Sequence, residues 1–173
     1  MLDRNAKVVT SAITSLDIHD IARASRTYEV RAVFIVHPIP EQRKFAASVI
    51  DHWRFDFGRT HDSRRREALE RVQIVADLDD AIAAATRISG ARPLVVHTSA
   101  RTEDGTSYAD LRRRLEVQGA PPMMILLGTG FGMSPKVAAR ADIVLAPIAG
   151  PGDYNHLSVR SAAGIILDRL RGR

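Results

Sequence analysis

The sequence predicts an α/β fold: an open, mostly parallel sheet flanked by helices. Three observations point there. Five short runs rich in aliphatic and β-branched residues recur along the chain. They are almost continuously apolar rather than alternating, as strands buried on both faces are. Longer stretches with helical character lie between them, the alternation expected of parallel strands joined by crossover helices. With 173 residues the chain is long enough for a core that needs no disulfide, and a single domain spanning 1–173 is expected.

Taken in order, the first helix is expected from Asp17 to Tyr28. Ile18, Ile21, Ala22 and Ser25 fall at i, i+3, i+4 and i+7 and make one inward face. Asp17 is placed to cap that helix, with Asp20 near its positive end. His19, Arg23 and Arg26 share a second face. Two arginines one turn apart suit a phosphate, and they equally suit an ordinary solvated face. Strands follow at Arg31 to Val36, Val72 to Ala76, Pro93 to His97, Met123 to Leu127 and Asp142 to Ala146. Helices are expected at Glu41 to Phe55, Leu78 to Ser89, Ser107 to Gln118, Pro135 to Ala141 and His156 to Leu170, the last capped by Asn155. Ser158, Ser161, Ala162, Ala163 and Gly164 would let that last helix pack closely on a strand or a partner helix. Its apolar character on several faces anticipates burial in a subunit interface as well as the core.

Composition narrows the chemistry. There is no cysteine, which removes thiol nucleophiles, redox pairs and thiolate metal sites. The six histidines show no metal-ligand spacing, so no metal is expected. Lys plus Arg exceeds Asp plus Glu by 25 to 20, a formal net charge of +5, which favours an anionic partner. Only Lys7, Lys44 and Lys136 are lysines, so the positive charge is nearly all guanidinium, suited to gripping phosphate and stacking on bases. Arg64–Arg66 and Arg112–Arg114 could contact phosphates. The acids Asp62, Glu67, Glu70, Asp110 and Glu116 nearby fit solvated helix faces instead. No apolar run is long enough to span a membrane. The first residues are too polar for a secretory signal, so a cytoplasmic location is expected.

Functional sites in open α/β sheets lie beyond the carboxyl ends of strands, and three of those ends are unusual here. Thr98-Ser99-Ala100-Arg101 follows the third strand, Gly128-Thr129-Gly130-Phe131-Gly132 the fourth, and Pro147 to Asn155 the fifth. The second loop has neither the spacing of a dinucleotide fingerprint nor the lysine ending of a phosphate loop. Glycine there permits positive φ and close approach of main chain to a ligand.

Together, Gly128-Thr129-Gly130-Phe131-Gly132, Tyr154-Asn155-His156-Leu157-Ser158-Val159-Arg160-Ser161-Ala162 and the segment from Ser15 to Arg23 resemble the SPOUT superfamily of RNA methyltransferases. The likeness is closest to the small bacterial S-adenosylmethionine-dependent family that also occurs fused to tRNA guanine methyltransferases. It runs from about Val8 to Leu170. The resemblance implies a deep trefoil knot built from the C-terminal strands and loops, and a homodimer. It implies that S-adenosylmethionine is held by Thr98, Ser99, Ala100, Leu127, Gly128, Thr129, Gly130, Gly132, Ile148, Tyr154, Asn155, His156 and Leu157. Adenine would then lie between apolar side chains such as Leu127, Ile148 and Leu157.

Arg23 matches the first-helix arginine that assists transfer in the ribose-methylating branch, whose usual upstream Asn and Gly are Asp17 and His19 here. Asp153 is the candidate base for a base-nitrogen acceptor, and His19, His156 and Arg160 are candidates for polar roles. Arg23, Arg26, Arg101 and Arg160 are the expected RNA contacts. The implied function is methyl transfer to tRNA or rRNA; the alternative is a catalytically silent knotted module that binds RNA. Relative to the family, a hydrophobic strand before Met1 is expected to be missing, and Glu29 stands where a glycine is common after the first helix.

Overall fold

The computed structural model describes residues 3–5, 7–55, 62–101, 104–129 and 132–173. The chain forms two compact units, one of Ala12–Ala84 and one combining Met1–Ser11 with Ala85–Arg173. All five expected strands form, and every pairing among them is parallel. They are hydrogen-bonded as a two-stranded and a three-stranded sheet.

The first unit holds α1 (Ser15–Thr27), β1 (Val33–Val36), α2 (Pro40–Arg54), α3 (Ser63–Leu69), β2 (Val72–Val75) and the start of α4 (Leu78–Ser89). Strands β1 and β2 pair from Val33↔Val72 to Val36↔Val75. Ile18, Ala22, Ala46, Ile50, Ala68, Leu69 and Val72 make its core, so the inward face read from the α1 spacing is the one buried. The cap is not Asp17. Thr14 takes that place, its hydroxyl accepting from the Asp17 N–H at 3.2 Å and donating to the Asp17 carboxylate at 2.6 Å. A hydroxyl at the cap with an acid three residues on satisfies the helix end while keeping the acid in the first turn. The α1 helix leaves through a left-handed turn at Glu29, φ 57°. The Val30 N–H reaches the Ser25 carbonyl at 2.9 Å and the Glu29 N–H the Arg26 carbonyl at 3.2 Å, the paired bonds of a Schellman ending.

Helix α3 was not among the expected helices, because its first turn, Ser63-Arg64-Arg65-Arg66, offers no apolar periodicity. Asp62 starts it, accepting from the Arg65 N–H at 3.0 Å, and Ala68 and Leu69 anchor it in the core.

The second unit holds the end of α4, then β3 (Leu94–Thr98), α5 (Tyr108–Glu116), β4 (Met123–Leu126), α6 (Pro135–Ala138), β5 (Ile143–Leu145) and α7 (Val159–Arg171). The strand order is β4-β3-β5. Val96, Leu111, Ile143, Leu145, Ile166 and Leu170 form its core, where α5 meets α7. The Asp142 carboxylate accepts from the Val95 N–H at 2.8 Å and pairs with Arg92 at 3.2 Å, pinning the start of β5 to β3. The last helix begins three residues later than expected. Ser158, not Asn155, caps it, accepting from the Ser161 N–H at 3.2 Å. Ala163, Ile166 and Leu170 of α7 are buried within the chain.

Candidate functional site

Because β3, β4 and β5 run parallel, their carboxyl ends emerge at one edge of the sheet. The three loops singled out in the sequence follow those ends. Short polar contacts stitch them together. The Thr98 hydroxyl donates to the Leu126 carbonyl at 2.7 Å, joining the ends of β3 and β4. The Asn155 side-chain amide donates to the Ala100 carbonyl at 3.3 Å, joining the third loop to the first. Asn155 therefore holds a loop rather than a helix end. Within the first loop the Arg101 N–H donates to the Ser99 hydroxyl at 3.1 Å.

Leu127 and Ile148 are half-buried and rest on the core of this unit, giving the loops an apolar floor. Leu157 and Tyr154 are open, 45% and 80% exposed, and the Tyr154 ring meets His156 edge-on at 6.4 Å. A Cβ on Gly128 would stand 2.9 Å from the Met133 side chain, and Gly132 has φ 116°. The backbone conformation at Gly132 calls for glycine, and a side chain at Gly128 would have to displace that of Met133. Gly130 lies outside the described residues. Asp153 and Arg101 are exposed on their loops, and Arg160 is half-buried in the first turn of α7.

A feature that periodicity does not reveal sits beside these loops. Leu145 of β5 is paired with Thr98 on one flank and with Thr106 on the other. The Thr106 N–H donates to the Val144 carbonyl at 2.8 Å and its carbonyl accepts from the Ala146 N–H at 2.9 Å. Thr98 and Thr106 thus flank β5 on its two sides. Gly105 approaches it closely: a Cβ there would lie 2.6 Å from the Ala146 nitrogen. The glycine in Glu103-Asp104-Gly105 was the available sequence signal.

The first-helix candidates lie in the other unit. Arg23 is exposed and His19 half-buried. Arg26 is engaged with Glu67, at 2.7 Å through Nε and 2.5 Å through a terminal nitrogen. His19 packs edge-on against Trp53 at 5.5 Å, and the Arg65 guanidinium lies 4.4 Å from the centre of the same indole. Burial holds the His19 imidazole below its ordinary 6.5, with Arg65 and Arg23 adding to the effect and Asp20 opposing it. Its Nδ1 has no hydrogen-bond partner among the described residues. Sequence reasoning passed over Trp53 and took Arg65 only as part of the Arg64–Arg66 cluster, because nothing in their spacing links α2 to α3. Among the described residues no cluster of three or more His, Cys, Asp or Glu is arranged to hold a metal.

Comparison with known proteins bears on what such loops are for. The model of a family described as SAM-dependent RNA methyltransferases matches residues 1–172. An uncharacterised protein of Aquifex aeolicus (strain VF5) is 39% identical over 173 residues, which are 99% of this chain and 84% of that one. A tRNA (guanine-N(1)-)-methyltransferase of Oleidesulfovibrio alaskensis is 38% identical over 172 residues, 99% of this chain and 40% of its own length. This chain therefore spans about two-fifths of that relative. Among solved structures, the SpoU methyltransferase AviRb of Streptomyces viridochromogenes matches with a TM-score of 0.59 at 18% identity, over 91% of this chain and 54% of AviRb. AviRb in complex with AdoMet matches with a TM-score of 0.53 at 15% identity, over 92% of this chain and 53% of that one. At these identities the structural likeness is one of fold.

Proposed function

Since the chain belongs to the family of SAM-dependent RNA methyltransferases, we propose that its three stitched loops hold S-adenosylmethionine and that the methyl acceptor is a nucleotide of tRNA or rRNA. The observation that carries the reading is the convergence of Thr98–Arg101, Leu127–Gly132 and the segment 148–157 at one sheet edge, joined by Thr98 and Asn155. The donor set fits the cofactor. Half-buried Leu127 and Ile148 suit an adenine, and small residues around them leave main-chain amides and carbonyls accessible for its polar edge.

Bound there, S-adenosylmethionine supplies a methyl group already activated by its sulfonium. What remains for the protein is alignment of the acceptor, exclusion of water and handling of a proton. Asp153, exposed on the third loop, is the proposed acceptor of that proton for a base nitrogen. Arg23 and His19 are proposed for the acceptor's polar groups, with Arg101, Arg160 and Arg26 as RNA contacts; for Arg26 this requires release from Glu67. We read the flanking of Leu145 by Thr98 on one side and Thr106 on the other as support for a C-terminal knot. That threading would be one of the rare exceptions to unknotted folding. The small-residue face of α7 suits a homodimer, and a tRNA-modifying role implies the cytoplasm.

The test is transfer of labelled methyl to purified tRNA and rRNA, with cofactor binding measured by calorimetry. Cofactor binding in the micromolar range and incorporation into one RNA class are expected; absence of binding would sink the reading. Arg23→Ala should lower kcat by about 10²-fold, the scale of a positioned polar group at the reacting centre, with cofactor affinity retained. Undiminished turnover would remove Arg23 from the catalytic set.

A further inference from the structure

The first eleven residues belong to the second unit, although the helix that follows them in sequence, α1, belongs to the first. Their backbone is organised by its own side chains. The Asp3 carboxylate accepts from the N–H groups of Asn5 and Lys7 at 2.8 and 2.9 Å, and the Asp3 N–H donates to the Lys7 carbonyl at 2.9 Å. The segment ends in one long-range polar contact: the hydroxyls of Ser11 and Thr129 lie 2.8 Å apart, partly buried, across 118 positions of sequence. Thr129 is the centre of the loop after β4, between Gly128 and the two residues outside the description.

We propose that Ser11 is a positioning residue for the cofactor loop, bracing Thr129 so that the main chain around it keeps its ligand-receiving conformation. The inference rests on the reading of that loop as part of the S-adenosylmethionine site. Its physical basis is the backbone next to Thr129: Gly128 precedes it directly, and a residue without a Cβ restricts φ and ψ less than any other. A fixed hydroxyl partner restricts it. Where only a fraction of molecules carries the competent loop, apparent affinity falls by that fraction. The brace acts on affinity before the chemical step, because Ser11 touches the loop and not the reacting atoms. A segment without periodic apolar residues thereby has a role that its sequence does not announce.

The test compares wild type, Ser11→Ala, Ser11→Thr and Thr129→Ser for S-adenosylmethionine affinity by calorimetry, for melting temperature without ligand, and for KM and kcat. Ser11→Ala should weaken cofactor binding about 3–10-fold, a range that a single hydrogen bond supports, and raise KM for S-adenosylmethionine more than it lowers kcat. Ser11→Thr and Thr129→Ser, which keep both hydroxyls, should restore most of the affinity. If the wild type binds S-adenosylmethionine and Ser11→Ala binds it equally well, the brace is wrong while the cofactor site stands. If the wild type does not bind, the cofactor reading itself has failed. Loss of affinity accompanied by a proportionate loss of melting temperature, unrescued by Ser11→Thr, would make Ser11 merely structural and overturn the proposal. Should Ser11→Ala not fold, Thr129→Ala carries the same comparison from the other side of the bond.

Discussion

The two units join the ends of their strands and helices with different polar groups. In the unit of Ala12–Ala84, guanidinium groups tie elements together. Arg54 donates to the carbonyls of Leu69 and Val72, Arg71 to that of Val30, and Arg43 to those of His37 and Pro38. Arg26 pairs with Glu67, Arg66 with Glu70, and Arg65 with Asp62 while it covers Trp53. In the other unit small polar side chains do the joining: Thr98 ties the end of β3 to that of β4, Asn155 the third loop to the first, and Ser11 the N-terminal segment to Thr129. The difference teaches how to read the net charge of +5. Much of the arginine in the first unit is engaged in capping carbonyls and balancing acids, so composition overstates the surface offered to an anionic partner. In the second unit charged groups also tie elements, as Arg92 does with Asp142 and Arg112 with the Gly172 carbonyl, while the loops beyond the strand ends are joined by uncharged side chains.

The sharpest way to break that contrast is to put a side chain where the second unit relies on having none. Gly105→Ala would place a Cβ 2.6 Å from the Ala146 nitrogen and 2.8 Å from the Leu145 carbonyl carbon, both main chain. Backbone paired on both sides cannot yield without breaking the bonds of Thr106 to β5. A loss of about 3 kcal/mol of unfolding free energy is expected, at the upper end for overpacking, with S-adenosylmethionine binding weakened in the surviving fold. Urea denaturation measures the first and calorimetry the second. Gly164→Ala in α7 is the control, since a Cβ there meets nothing within 4 Å. It should gain rather than lose stability, by roughly 0.5–1 kcal/mol, because alanine costs less backbone entropy in a helix. Equal behaviour of the two variants would show that Gly105 does not approach β5 closely.

A smaller effect sharpens the same comparison at helix exits. After α4 the chain turns through left-handed backbone at Gly90 (φ 79°), where glycine has no steric penalty. After α1 left-handed backbone is taken by Glu29 at φ 57°, which a side chain disfavours by roughly 1–2 kcal/mol. Glu29→Gly should raise stability by about 1 kcal/mol, part of the relief being offset by the freedom glycine gains in the unfolded chain. Its melting temperature and urea midpoint read the change directly, and a fall in either would mean that the Glu29 side chain contributes more than its backbone costs.

That residue also marks how far the sequence could be read. Glu29 stood out through the family resemblance, in which glycine is common after the first helix, and the structure places it in left-handed backbone where a side chain is costly. The five strands and the inward face of α1 were legible from the residues themselves: burial on both faces, or on one, leaves a periodic trace. The three loops were legible as glycine and small polar clusters at strand ends. The caps were not, since Asp17 and Thr14 are both good capping residues and only the backbone decides between them; Asn155 and Ser158 pose the same ambiguity. Helix α3 escaped because three arginines carry no apolar rhythm until Ala68. The approach of Gly105 to β5 and the Ser11–Thr129 contact are long-range pairings, and a single sequence holds no period that would reveal them.

The finest distinction between the units lies in two histidines that share a direction of shift and differ in cause. His97, on β3, is held below 6.5 by burial alone. His19, on α1, is held below it by burial first and then by the Arg65 and Arg23 guanidiniums, against Asp20. Salt screens charge–charge interaction and leaves burial untouched. Raising ionic strength should therefore move the His19 titration upward toward 6.5 and leave His97 in place, as followed by NMR of the two imidazoles. Both shifts have the same sign for stability. The unfolded chain protonates these imidazoles more readily than the folded one, so their contribution is intact above 6.5, declines as pH falls below it, and levels off once pH lies under the folded values. Replacing His97 with Gln should flatten that decline equally at low and high salt, whereas replacing His19 should flatten it more at low salt, where the arginines still act. Identical salt dependence at both positions would mean that the charged cluster around Trp53 does not reach His19, and the electrostatic half of the contrast between the units would fall.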